Sequence, residues 1–148
     1  MEPTSSELAD FRVLLQRISF FQNLKMAELD ALLNAMEKQT YRKGDVIIRQ
    51  GEVGDRFYIV ASGKVGVFKS RFLMKQRINT MGPRTYFGEV ALLGNTPRTA
   101  TIIGDEDGEL YSLSRKAFDA VLLRNPGIAT LIQQSTAYHL SRDRVRGL

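Results

Sequence analysis

Apolar residues recur with a helical period at both ends of the chain and with a strand-like period between them. Leu8, Phe11, Leu15 and Ile18 form one helical stripe. After a break at Phe20-Phe21-Gln22-Asn23, Leu29, Leu32, Leu33 and Met36 form a second at i, i+3, i+4 and i+7. From Thr40 to Leu113 the pattern changes to short runs rich in Val, Ile, Tyr and Phe. These are Val46-Ile47-Ile48, Phe57-Tyr58-Ile59-Val60, Val65-Gly66-Val67-Phe68, Arg77-Ile78-Asn79-Thr80-Met81, Ala100-Thr101-Ile102-Ile103 and Leu110-Tyr111-Ser112-Leu113. Turn residues punctuate them at Lys43-Gly44-Asp45, Gly51-Glu52-Val53-Gly54-Asp55, Ser62-Gly63-Lys64, Met81-Gly82-Pro83 and Asp105-Glu106-Asp107-Gly108. Strands this short and this evenly spaced predict a small β-barrel or roll. Ser114 then caps a helix carrying Phe118, Val121 and Leu122. Asn125-Pro126 supplies an N-cap and a first-turn proline for a last helix running towards Arg144.

The expected organisation is one domain spanning 1–148, with N-terminal helices over 1–38, a roll over 40–113 and C-terminal helices over 114–146. A length of 148 residues, 43% hydrophobic and 25% charged, agrees with a single packed core. No apolar run approaches the roughly 18–20 residues that span a bilayer, and the N-terminus lacks the layout of a secretory signal. A cytoplasmic protein with no membrane partner is therefore expected. With no cysteine and one histidine, His139, thiolate and multi-His metal centres and His-carboxylate relays are excluded. A metal-dependent enzyme of the cupin type on such a barrel lacks its ligands for the same reason. His139 reads as a surface or lid residue. No catalytic residue and no metal site are expected.

The net charge of +5 is unevenly spread: residues 1–40 carry 4 basic and 6 acidic side chains, 41–110 carry 11 and 8, and 111–148 carry 6 and 2. Neither a recognition helix with its turn nor an alternating basic-aromatic surface accompanies the excess, which argues against nucleic acid. The cluster Lys69, Arg71, Lys75 and Arg77 reads as a solvated turn.

One stretch interrupts the strand pattern. Phe87-Gly88-Glu89-Val90-Ala91-Leu92-Leu93-Gly94-Asn95-Thr96-Pro97-Arg98-Thr99-Ala100-Thr101 runs from glycine and an acid through a short apolar turn to an arginine and a hydroxyl residue. Glycine lets a backbone approach a ligand closely, and the N–H groups of a following helical turn attract an anion. Arg98 adds a charged fork suited to phosphate, and the Thr99 hydroxyl a further donor. Glu89 repels phosphate and makes sense as an acceptor for neutral hydroxyls of the same ligand. A ribose-phosphate satisfies both. The competing reading is a structural Glu89–Arg98 ion pair in a loop, although such pairs stabilise weakly when buried.

Phe87 to Leu93 followed by Pro97-Arg98-Thr99-Ala100-Thr101 resembles the phosphate-binding cassette of cyclic nucleotide-binding domains. The glycine-marked segments Gly51-Glu52-Val53-Gly54-Asp55-Arg56-Phe57-Tyr58-Ile59-Val60 and Gly63-Lys64-Val65 resemble turns between early strands of that family. The resemblance implies an α+β, mainly β, jelly-roll barrel flanked by helices, with cAMP or cGMP as ligand and no further cofactor. It implies that Glu89 takes the ribose 2′-hydroxyl with the Gly88 backbone. Arg98 then pairs with the cyclic phosphate, assisted by N–H groups near Ala91 and Thr99, and Phe87, Val90 and Ala100 complete the lining. It further implies base contacts from Ile78 and Met81 and from a lid helix carrying Tyr138 and Arg142. The Thr99 hydroxyl also reaches the 2-amino group of a syn guanine, admitting cGMP without excluding cAMP. Where relatives commonly have Gly-Asp before the cassette, this chain has Arg84-Thr85, which leaves the shape of that turn open.

In the last helix Ile128, Leu131, Ser135, Tyr138, Arg142 and Val145 follow the seam spacing of a two-stranded coiled coil. Asn125-Pro126 and Ala137-Tyr138-His139-Leu140 resemble the dimerisation helix of the catabolite-activator branch of the family, which implies a homodimer. The chain stops where that branch continues into a helix-turn-helix, so no DNA-binding domain is expected. The function implied is a non-catalytic sensor that passes a helix movement to an effector protein the sequence does not identify. The alternative is an interaction scaffold whose site is silent or retuned, for example to a cyclic dinucleotide. That alternative predicts a broken Glu or Arg, and both are present.

Overall fold

The turns named above let the middle of the chain fold back on itself strand by strand. The computed structural model describes residues 4–132, and these form two compact units, each with its own set of buried side chains.

The unit of residues 36–116 contains eight antiparallel strands: β1 (Glu37–Tyr41), β2 (Val46–Ile48), β3 (Arg56–Ser62), β4 (Val65–Arg71), β5 (Met74–Met81), β6 (Thr85–Phe87), β7 (Thr101–Gly104) and β8 (Gly108–Ser114). The chain is doubled like one long hairpin, β1 pairing with β8, β2 with β7, β3 with β6 and β4 with β5. Two further pairings, β3 with β8 and β4 with β7, roll that hairpin into two four-stranded sheets ordered β1-β8-β3-β6 and β2-β7-β4-β5. This is the jelly-roll arrangement, and it leaves the segment between β6 and β7 to bridge the two sheets. Tyr41, Ile48, Tyr58, Val60, Val65, Val67, Phe87, Ile102 and Leu110 form the core, with Ile47, Met81 and Ala100 packed against it.

The six predicted strands all form, and two more join them. β1 and β6 lie at the outer edges of one sheet. An edge strand packs on one neighbour only, and the sequence Glu37-Lys38-Gln39-Thr40-Tyr41 accordingly buries Tyr41 alone. β5 begins earlier than its apolar run predicts, because its first residues pair with β4 while all but Met81 stay exposed. The turn before β6 places Arg84 at a φ of 64°, the left-handed region where glycine is the usual occupant. Its N–H donates to the Val60 carbonyl (3.0 Å), and the Thr85 hydroxyl donates to the Gly82 carbonyl (2.6 Å). The Arg84-Thr85 pair therefore keeps a tight turn without a glycine at the left-handed position.

The unit of residues 4–35 and 117–132 is helical. In α1 (Ser5–Gln16), the Thr4 hydroxyl accepts from the Glu7 N–H and the Glu7 carboxylate accepts from the Thr4 N–H, each at 3.1 Å. In α2 (Met26–Asn34), the Glu28 carboxylate accepts from the Lys25 N–H at 2.8 Å. Arg12 donates two hydrogen bonds to Asp30, at 2.6 and 3.1 Å, tying α1 to α2. The Phe20-Phe21 break is itself core: both rings are buried in a short 3-10 turn, and Phe21 packs on Phe118 at 6.1 Å. α3 (Arg115–Arg124) follows Ser114 directly, and a further helix runs over 126–132, with the Asn125 carbonyl accepting from the Ile128 N–H at 2.9 Å. Ser135, Tyr138, His139, Arg142 and Val145 lie outside the described residues; of the expected seam only Ile128, which is buried, and Leu131, partly buried, are described, and of the lid neither Tyr138 nor Arg142. Among the described residues no helix is long and apolar enough to cross a membrane.

Candidate functional site

The interrupting stretch occupies the bridge between the sheets. β6 ends on Phe87, whose ring stacks on Tyr58 with centroids 5.1 Å apart. Gly88 then turns the chain at a φ of 80°, and residues Glu89–Leu92 form a single 3-10 turn. Ala91 and Leu92 bury their side chains and anchor that turn, leaving Glu89 and Val90 on its open side.

The far end of the stretch is held by the Gly51–Asp55 turn. Val53 bridges Pro97, the Arg98 N–H donates to the Glu52 carbonyl, and the Gly51 N–H donates to the Arg98 carbonyl, both at 2.8 Å. The two motifs that are separated in sequence are therefore bonded backbone to backbone. Gly54 lies directly beneath the Arg98 guanidinium, where any Cβ would overlap it. The space that glycine leaves is where the arginine head sits.

Arg98 is half-buried. Its Nη2 donates to the Arg56 carbonyl at 2.8 Å and its Nη1 to the Gly88 carbonyl at 3.4 Å. Among the described residues no carboxylate lies within 4.0 Å of it, so the Glu89–Arg98 ion pair does not form. Burial lowers its pKa from the ordinary arginine value, and the more distant Tyr58, Asp55 and Glu89 oppose that shift. Arginine nonetheless stays a cation in the neutral range. Burial raises the pKa of Tyr58, against the pull of Arg56 and Arg98. The Thr99 and Ala100 N–H groups make no backbone hydrogen bond to another described residue. A half-buried cation that has carbonyl partners only among the described residues, beside N–H groups with no backbone partner there, is a place where an anion gains charge-assisted hydrogen bonds.

These groups open on a cavity of about 460 Å³, a size that suits a small organic ligand. Phe87, Gly88, Glu89, Val90, Ala91, Arg98, Thr99, Ala100 and Met81 all line it. Ile78 does not: it is 50% exposed on β5 and faces a separate groove along the β4–β5 hairpin. Tyr138 and Arg142 lie outside the described residues. The sequence reading missed the apolar floor, made by Ile48, Val67 and Ile102 on β2, β4 and β7. The inward alternation of those strands was the available signal, since an inward residue faces either the core or a cavity at its edge.

A family model described as the cyclic nucleotide-binding domain matches residues 38–125. The chain belongs to this family. The domain is 32% identical over 139 residues to a cAMP-dependent protein kinase regulatory subunit of Mucor circinelloides f. lusitanicus, covering 94% of this chain and 32% of that protein. It is 34% identical over 145 residues to cGMP-dependent protein kinase 2 of Mus musculus, covering 90% of this chain and 19% of that one. This cyclic nucleotide-binding domain therefore spans a third or less of the length of either relative. Among solved structures it resembles the regulatory domain of Toxoplasma gondii PKA crystallised with cAMP, with a TM-score of 0.69 and 29% identity, covering 81% of this chain and 46% of that one.

Proposed function

We propose that this domain is a non-catalytic sensor that binds a 3′,5′-cyclic nucleotide, cAMP or cGMP, in the cavity between β6 and β7. The observation that carries the reading is Arg98, a half-buried cation whose partners among the described residues are neutral carbonyls, opening on the same cavity as Glu89. The cyclic phosphate takes the Arg98 fork and the N–H groups of Thr99 and Ala100, joined by the Ala91 N–H once it exchanges its present bond to the Gly88 carbonyl (3.2 Å) for the phosphate. Glu89, which has no cation within 4.0 Å among the described residues, accepts from the ribose 2′-hydroxyl. The base lies over the apolar side of the cavity, by Met81 and Val90. The relatives named above, one cAMP-dependent and one cGMP-dependent, support the ligand class and leave both nucleotides in play.

A ligand changes the protein only by binding one of its states more tightly than another. The nucleotide therefore favours the state of the domain that binds it more tightly, and an effector protein reads the movement of the helices after β8 that follows. The C-terminal helix also serves as a homodimer seam. Displacement of a fluorescent cyclic nucleotide by cAMP, cGMP, 5′-AMP and a cyclic dinucleotide tests the assignment. Displacement by cAMP or cGMP well ahead of 5′-AMP, weakened in Arg98→Ala and in Glu89→Ala, is the expected result. Displacement by the cyclic dinucleotide alone, or none by any nucleotide with the fold intact, would show a retuned or silent site.

A further inference from the structure

The tip of the β4–β5 hairpin is built against the ordinary rules for such turns. The strands pair up to Arg71 opposite Met74, which leaves Phe72 and Leu73 as a two-residue loop. Both adopt left-handed backbone, at φ 52° and 71°, positions normally filled by Asn-Gly or Asp-Gly. Bulky side chains there are strained, and these are also hydrated: Phe72 is 99% exposed, Leu73 fully so, and Met74 75%. Strain and apolar exposure at one spot mark a surface shaped for contact.

The surroundings say what contact. Lys69, Arg71 and Lys75 flank the tip, and among the described residues none of them makes an ion pair. Arg77, further down, is already bonded twice to Asp105. From Lys64 to Gly88 there are six basic residues and no acidic one. Read as sequence these cations belong to a solvated turn; the apolar tip between them changes that. A convex tip of three side chains falls short of the roughly 800 Å² per partner that a stable protein interface buries. It matches the boundary of headgroups and acyl chains, where apolar groups sink in and a ring of cations meets lipid phosphates.

We propose that the β4–β5 hairpin docks this domain peripherally on an anionic phospholipid surface, inserting Phe72, Leu73 and Met74 while Lys69, Arg71 and Lys75 hold the headgroups. The contact needs no spanning segment, and it runs against the absence of membrane partners expected from sequence.

The chain has no tryptophan, so Phe72→Trp in the full chain reports from the tip alone. With vesicles of phosphatidylcholine and phosphatidylserine, its emission shifts to the blue and is quenched by brominated acyl chains. With phosphatidylcholine alone neither occurs, and raised salt releases the protein. In a co-sedimentation assay without the tryptophan, Phe72→Asn combined with Leu73→Gly relaxes the turn. It lowers binding to the mixed vesicles at least about tenfold while melting no earlier than the parent. The proposal is overturned if the mixed vesicles give no shift and no co-sedimentation, or if the relaxed-turn variant binds like the parent. It is also overturned if immobilised polyglutamate captures the protein as well as the vesicles do with no blue shift, which would assign the tip to an acidic protein.

Discussion

Substituting Gly54 by alanine tests the site without touching any residue assigned to the ligand. The new methyl group would occupy the position of the Arg98 guanidinium, and that head, at the end of a flexible side chain, moves instead of the backbone. Gly54 does not lie in the left-handed region, so alanine is tolerated there. Two changes in stability then oppose one another. The unfolded chain loses freedom, which stabilises by about 0.4–1 kcal/mol, while the Arg98 bonds to the Arg56 and Gly88 carbonyls are weakened. Those bonds are partly replaced by water at a half-exposed side chain, a loss of about 1 kcal/mol. The net change in melting temperature stays within about 4 °C. Binding responds differently, because a displaced guanidinium forfeits a charge-assisted bond to phosphate worth about 1.5–3 kcal/mol, roughly ten- to a hundred-fold in affinity. Calorimetric titration with cAMP beside a thermal melt reads both. Combined with Arg98→Ala, the Gly54→Ala change should add almost nothing to the loss, since the two act on one interaction. Binding by Gly54→Ala equal to that of the parent would refute the reasoning, because the arginine would then be working from elsewhere.

Other outcomes follow from the same geometry. Arg98→Lys keeps the charge but loses the two-pronged donor, so affinity for cAMP should fall about tenfold or more in a displacement assay, with the circular dichroism of the parent retained. Thr99→Ala should weaken cGMP more than cAMP in parallel titrations; equal losses would remove the syn-guanine contact. The hydrogen bonds from Arg77, opposed by burial, hold the Asp105 carboxyl below the usual carboxylate range. A depressed folded pKa contributes stability above the unfolded value of about 3.9 that is lost as pH falls through the folded value. Asp105→Asn should therefore melt earlier than the parent at pH 7, with the gap closing in the acid range below about pH 4, as followed by thermal melts against pH.

Most elements legible in the sequence were those whose burial imposes a period, β5 excepted, which was legible from its run over 77–81 although all but Met81 is exposed. α1 and α2 carry continuous stripes, and β3, β4 and β8 carry apolar runs because neighbours cover them. β1 and β6 were not legible, since an edge strand such as Glu37–Tyr41 owes its structure to the partner β8 more than to its own side chains. The cassette was legible from Gly88, Glu89, Arg98 and Thr99 because an acid, an arginine fork and a hydroxyl around a glycine turn suit a ribose-phosphate, and because the segment resembles a known cassette. Ile78 enters the site only through the family resemblance. The register slips at this residue, Val67 pairing with Asn79 and Phe68 with Arg77, and Ile78 is left unpaired outside the cavity, an irregularity that only three-dimensional pairing reveals. The role of Gly54 was hidden for a related reason: a glycine in a turn reads as a conformational choice, whereas here it makes room for a side chain more than forty residues away in sequence.

The most direct test of the central claim is calorimetric titration of the purified chain with cAMP and with cGMP, after removal of any nucleotide that accompanies it. Saturable binding of at least one, weakened at least about tenfold in Arg98→Ala and reduced in Glu89→Ala with the fold unchanged, is the predicted result. Absence of heat with both nucleotides from a folded chain, or binding that neither substitution alters, would contradict it.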